Sequence, residues 1–128
     1  MKDKPETLIQ LLAAYRPASF PKGQAKRAEL VRLAGTIAQN CAATVAFVDW
    51  KLKKITEDGE EVFSLYELRE EALRLNGRCA KVGLHAGSEA RRKEVESLRL
   101  EYDNFTDSVR HMVGLLDRTL GERLNGIL

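Results

Sequence analysis

Ser88–Leu124 reads SEARRKEVESLRLEYDNFTDSVRHMVGLLDRTLGERL, and its pattern decides the fold. Val95, Leu98, Tyr102, Phe105, Val109, Met112 and Leu116 recur at alternating spacings of three and four. A heptad seam of this kind marks a helix that packs lengthwise along other helices. The residues between are mostly charged: Arg99, Glu101, Asp103, Asp107 and Arg110. A seam this regular is a packing device, so the expectation is core, not active site.

Upstream, Ala86-Gly87 makes a turn and Ser88 is placed to cap the helix. A third helix is expected over about 61–85, with Val62, Leu65, Leu68, Ala72, Leu75, Cys79 and Val82 as its seam. Asn76-Gly77 is a weak point that could end it early. The polar turn Thr56-Glu57-Asp58-Gly59-Glu60 separates it from a second helix over about 21–55. Ala34, Ile37, Cys41, Val45, Val48, Leu52 and Ile55 form that helix's seam. Ala34, Ala38, Ala42 and Ala46 add a small-residue ridge at every fourth position, which lets another helix approach closely. Val48–Leu52 also alternates, so a β-hairpin about Asp58-Gly59 is the rival reading; the helical spacing covers more residues. A short first helix is expected over about 4–16, opened by an Asp3/Glu6 capping box and stopped by Pro17.

Two antiparallel helices pair residues whose numbers total a constant. Seam pairs of the third and fourth helices, from Cys79/Val95 to Val62/Met112, all total 173 or 174. Pairs of the second and third, from Ile37/Cys79 to Ile55/Val62, all total 116 or 117. The centres are Gly87 and Asp58-Gly59, the turns read from composition. The expected architecture is all-α: a single domain, an antiparallel bundle of three long helices (about 21–55, 61–85, 88–124) with the short helix across one end. Cys41 and Cys79 fall one layer apart, about 5–6 Å along the axis, which favours two buried reduced thiols over a disulfide.

The chain has 128 residues, 44% apolar and 31% charged, enough for one domain with its own core. Two cysteines do not make a disulfide framework, and the N-terminus lacks a long apolar stretch, so a reducing, cytoplasmic setting is expected. The longest uncharged run, Leu33–Val48, has 16 residues, short of the ~20 that a membrane span needs. Net charge is +2 but uneven. Residues 1–54 carry ten basic against four acidic side chains, and residues 55–128 carry 11 against 15.

This arrangement leaves two surfaces unaccounted for. The fourth helix overshoots the Asp58-Gly59 turn, so Leu115, Leu116, Leu120 and Leu124 lack intramolecular partners unless the chain bends at Gly114 or Gly121. Together with Ala34, Ala38, Ala42 and Ala46 they are the candidate contacts with a protein partner or a second copy. At the opposite pole Lys22, Lys26, Arg27, Arg32, Arg74, Arg78, Lys81, Arg91, Arg92 and Lys93 face only Glu29 and Glu89 as acids. That pole suits an anion or a nucleic-acid backbone. The bland alternative is an ordinary solvated surface, since no aromatic residues are interleaved for stacking.

Catalytic chemistry is not legible. His111 follows Asp107 by one helical turn but lacks the further ligands of a metal site. Glu67, Glu70 and Glu71 have no Glu-x-x-His partner, and His85 sits at a helix end. No phosphate-binding glycine loop, nucleophile elbow or Cys-x-x-Cys is present. The expectation is therefore a non-enzymatic interaction protein of adaptor, chaperone or inhibitor type, dimeric, without cofactor or metal. A nucleic-acid-associated protein using the basic pole is the alternative.

Overall fold

The structure, a computed structural model, describes residues 7–22, 26–55, 59–82 and 87–119. Among the described residues the helices follow in the order α1 (Leu8–Ala14), α2 (Arg27–Lys54), α3 (Glu60–Cys79) and α4 (Ser88–Leu116). Val48–Leu52 is helical, and the described residues contain no strand. The chain is an all-α bundle in which α2, α3 and α4 pack together with a short N-terminal helix.

Each boundary has a local cause. The Asp3/Glu6 box lies outside the described residues; the box that opens α1 is Thr7/Gln10. Gln10 N–H donates to Thr7 Oγ1 and Thr7 N–H donates to Gln10 Oε1, both at 3.1 Å. The helix stops at Ala14, two residues before the expected end. Tyr15 is extended, and the Arg16 guanidinium takes up the carbonyls of Ala13, Ala14 and Tyr15 at 3.2–3.3 Å. α2 starts at Arg27, not Pro21. Pro21 is not helical, and at the start of α2 the Lys26 N–H finds the Glu29 carboxylate at 3.3 Å.

α3 runs through Asn76-Gly77, because Gly77 meets open space and its neighbours Leu75 and Cys79 are buried. It ends at Cys79, short of residue 85. Gly87, not Ser88, holds the N-cap position of α4. α4 passes Gly114 unbroken and ends at Leu116, not near 124, where Asp117 turns extended and donates to Val113 O at 2.7 Å. Gly121, Leu120 and Leu124 lie outside the described residues, as does His85.

The seams form the core. Leu65, Leu68, Ala72, Leu98, Phe105 and Val109 are at most 1% exposed. The pairing register is visible in ion pairs that bridge the helices. Arg69 Nε meets Asp49 Oδ1 at 2.7 Å, and Arg78 Nη2 meets Glu94 Oε2 at 3.3 Å. Both pairs are centred within about a residue of the two turns expected from the numbering. By length and composition α2 is the described helix that could cross a membrane. In the bundle its Leu30, Ile37, Cys41 and Val48 are fully buried, as befits a core helix packed against all three others.

The first helix does not lie across the pole. Tyr15 reaches Thr44, Arg16 reaches Asn40, and residues 17–21 border a hollow with Glu29, Arg32 and Thr36. Contacts thus step backward along α2 as the chain moves forward, so the extended segment 15–21 that follows α1 runs antiparallel beside α2. This strap fills the side between α2 and α4, which touch each other only slightly. It also gives α2 a second buried face. That face is Leu33, Asn40, Thr44 and Phe47, and not the alanine ridge.

Cys41 and Cys79 are free and buried. Burial pushes their thiols up from 9.0 to about 12 and about 11. Above pH 9 the unfolded chain gives up these protons before the folded chain does, so stability falls as pH rises. At pH 10 the expected loss is on the order of 1 kcal/mol per thiol. Urea midpoints at pH 8 and pH 10 check it, and the drop shrinks in a Cys41→Ala/Cys79→Ala double variant. An undiminished drop in that variant would refute this account.

Candidate interaction surfaces

The described part of the molecule presents an apolar outer face, a basic pole, an acidic cleft and a buried polar node.

The outer face belongs to α3 and α2. Phe63, Tyr66 and Leu73 are 62%, 56% and 41% exposed. Their spacings of three and seven put them on one stripe, turned away from the Leu65–Leu68–Ala72–Leu75 seam. Arg69, one turn from both Tyr66 and Leu73, reaches across to Asp49, one turn from Ala46. The stripe and the alanine ridge therefore share one side of the bundle. Ala42 is exposed and Ala38 and Ala46 are half-buried there, whereas Ala34 is 3% exposed and occupied in the core. Gly35 and Gly77 face open space on the same side and keep the relief low. Leu115 and Leu116 are half-buried at the end of α4, and Leu116 packs on the core. Sequence reasoning missed the Phe63 stripe. Its signal was three large apolar residues off the seam.

The antiparallel topology brings the start of α2, the end of α3 and the start of α4 to one pole. The structure divides the basic residues there into two groups. Arg78 clips α3 to α4, with Nη2 3.3 Å from Glu94 Oε2 and Nη1 3.1 Å from Glu101 Oε1. Lys93 stands 3.7 Å from Glu89, and Arg91 is half-buried and partnered. Lys22, Lys26, Arg27, Arg32, Lys81 and Arg92 are exposed, and their side chains have no ion pair among the described residues. Arg74 lies away from the pole, on the α3/α4 cleft.

That cleft, about 610 Å³, is lined by Glu67, Glu70, Glu71, Arg74, Asp107 and His111 among others. Asp107 is bound to Arg110 Nη1 at 2.6 Å. The Ser108 hydroxyl donates to Glu71 Oε2 at 2.8 Å. Among the described residues no three His, Cys, Asp or Glu side chains stand together to hold a metal ion.

The polar node ties the strap down. Asn40, fully buried, accepts from Arg16 N–H at 3.0 Å and returns a bond to Arg16 C=O at 3.0 Å. Its amide also donates to the Tyr102 hydroxyl at 2.9 Å. Thr44 donates to Asn40 O at 2.9 Å and shares a hydrogen bond with the Tyr15 hydroxyl. Burial pushes both tyrosine hydroxyls above their ordinary value, so they stay protonated and serve as neutral hydrogen-bond partners. Phe20 lies against Tyr102, with ring centres 6.0 Å apart, and the Arg99 guanidinium carbon sits 5.3 Å from the centre of the Phe20 ring.

No protein-family model, no curated protein and no solved structure matches the chain.

Proposed function

We propose that the protein is a non-enzymatic interaction module that works by binding a macromolecule through the outer face of α2 and α3, and that it self-associates there. The observation that carries this reading is the exposed Phe63–Tyr66–Leu73 stripe. Large apolar side chains gathered on one side mark an interface more often than a solvated face. The low alanine and glycine relief beside them supports the reading, because it lets a second helix come close. The arrangement of α3 opposite a second copy's α3 would bury the stripe isologously. Two free, buried thiols fit a reducing compartment such as the cytoplasm.

Light-scattering mass during size exclusion tests it. The expected result is a dimer of the 14.4 kDa chain at tens of micromolar, becoming monomeric in a Tyr66→Glu/Leu73→Glu variant of unchanged helicity. Both residues are exposed and off the seam, so the substitution spares the core. A wild-type chain that stays monomeric, or a variant that stays dimeric, overturns self-association through this face.

A further inference from the structure

Basic residues stand at the pole where the helix dipoles disfavour them. α2 and α4 both begin there, so their uncapped backbone N–H groups already carry positive partial charge. Lys26 is nevertheless the N-cap of α2 and Arg27 its first residue. Arg91, Arg92 and Lys93 follow within the first two turns of α4. At the other pole the arrangement is conventional. Lys51, Lys53 and Lys54 occupy the last turn of α2, where the dipole favours cations.

Folding accounts for some of these cations and not for the rest. Arg78, Lys93 and Arg91 have partners. Lys22, Lys26, Arg27, Arg32, Lys81 and Arg92 are exposed and make no ion pair among the described residues. They stand in or beside the start of α2, the end of α3 and the start of α4, and neighbouring helix axes lie about 8–10 Å apart. The cations therefore span roughly 20 Å, enough to meet phosphates on both sides of a duplex groove about 6–12 Å wide.

We infer that this pole binds the phosphate backbone of double-stranded nucleic acid without reading its sequence. A single strand would require exposed aromatic rings for stacking. The aromatic ring nearest the start of α2 among the described residues is Phe20, half-buried against Tyr102 and Arg99. A membrane surface would require apolar side chains to insert beside the cations. Of the exposed large apolar residues on α2, α3 and α4 among those described, Val31 is the one nearest a helix end at this pole; Leu73 and Leu100 stand further along α3 and α4, and Phe63 and Tyr66 belong to the opposite end of α3. The guanidiniums of Arg27, Arg32 and Arg92 match phosphate oxygens in pairs. This inference uses none of the residues of the α2/α3 face, so it stands or falls apart from self-association.

Fluorescence anisotropy with a labelled 20-base-pair DNA duplex of arbitrary sequence tests it. Four to six phosphate contacts predict that affinity falls about 10²–10³-fold between 50 and 200 mM salt. A Lys26→Glu/Arg27→Glu/Arg92→Glu variant with wild-type circular dichroism loses more than about tenfold in affinity, since three phosphate contacts become repulsive. Lys51→Glu/Lys53→Glu, at the other pole, binds like the wild type. Should the charge-reversed chain fail to fold, the Lys26→Gln/Arg27→Gln/Arg92→Gln variant must show a log–log salt slope shallower by about 2–3. Any of three results overturns the inference: no binding at 50 mM salt, binding that ignores salt or the pole substitutions, or retention on phosphatidylglycerol vesicles without binding to the duplex.

Discussion

Asn40→Ala is expected to release α1 and lower stability by about 2–4 kcal/mol, the cost of opening a buried polar network. Asn40 makes three hydrogen bonds, to Arg16 N–H, Arg16 C=O and the Tyr102 hydroxyl. Alanine replaces none of them. It leaves the Tyr102 hydroxyl short of a partner and the strap held by the Tyr15–Thr44 contact and the Phe20 ring. Hydrogen exchange reads the outcome. Backbone protection over Leu11–Tyr15 collapses first, while α3 and the seam of α4 keep theirs. Uniform loss of protection would show that the strap is not a separate unit. Asn40→Asp is the sharper variant. It keeps an acceptor for Arg16 N–H but turns an oxygen toward the Arg16 carbonyl. Burial raises the folded carboxyl above its ordinary value near 4. The stability deficit of that variant relative to the wild type is therefore smallest below about pH 4 and grows as pH rises, the reverse of a salt-bridged aspartate.

Phe105→Ala is expected to cost about 3–5 kcal/mol. Phe105 is among the largest fully buried side chains and stands in the middle of the α4 seam. Its neighbour Tyr102 contacts it at 6.2 Å between ring centres. Tyr102 cannot swing in to fill the void without giving up its bond to Asn40. The damage therefore spreads from core to strap. Thermal melting should fall by about 10–20 °C, and a Phe105→Leu variant should recover most of it. A fall of only a few degrees would mean that the core collapses around the cavity.

These two substitutions separate two layers of the fold that differ in how they are written in the chain. Val95, Leu98, Phe105, Val109 and Met112 announce themselves by spacing, because a side chain that must face one direction on a helix recurs every three or four positions. The Arg69–Asp49 and Arg78–Glu94 pairs agree with the register that the seams imply. Asn40 and Thr44 gave no such sign. A polar residue inside an apolar run reads as a blemish until its partner is known, and here the partners are the backbone of Arg16 and the hydroxyl of Tyr15, 24 and 29 residues away. The candidate contact surfaces were half legible. The alanine ridge was visible as a period of four, but Ala34 turned out to lie within the core. The Phe63, Tyr66 and Leu73 stripe passed unnoticed because the stronger seam beside it explained the helix already.

Helical class, the antiparallel order of α2, α3 and α4, and their register are all written in the chain, because periodicity and turn chemistry are local and add up along each helix. The packed bundle adds where the segment after α1 lies, which face of α2 is its second buried face, and which pole cations are taken up in ion pairs. Each of those depends on what a side chain meets across the bundle. Asn40 is buried only because Arg16 comes to it, and Arg78 is taken out of the basic pole only because Glu94 and Glu101 stand opposite. Hydrogen bonds and ion pairs between distant residues are satisfied by proximity in space, and spacing along one helix does not encode that proximity.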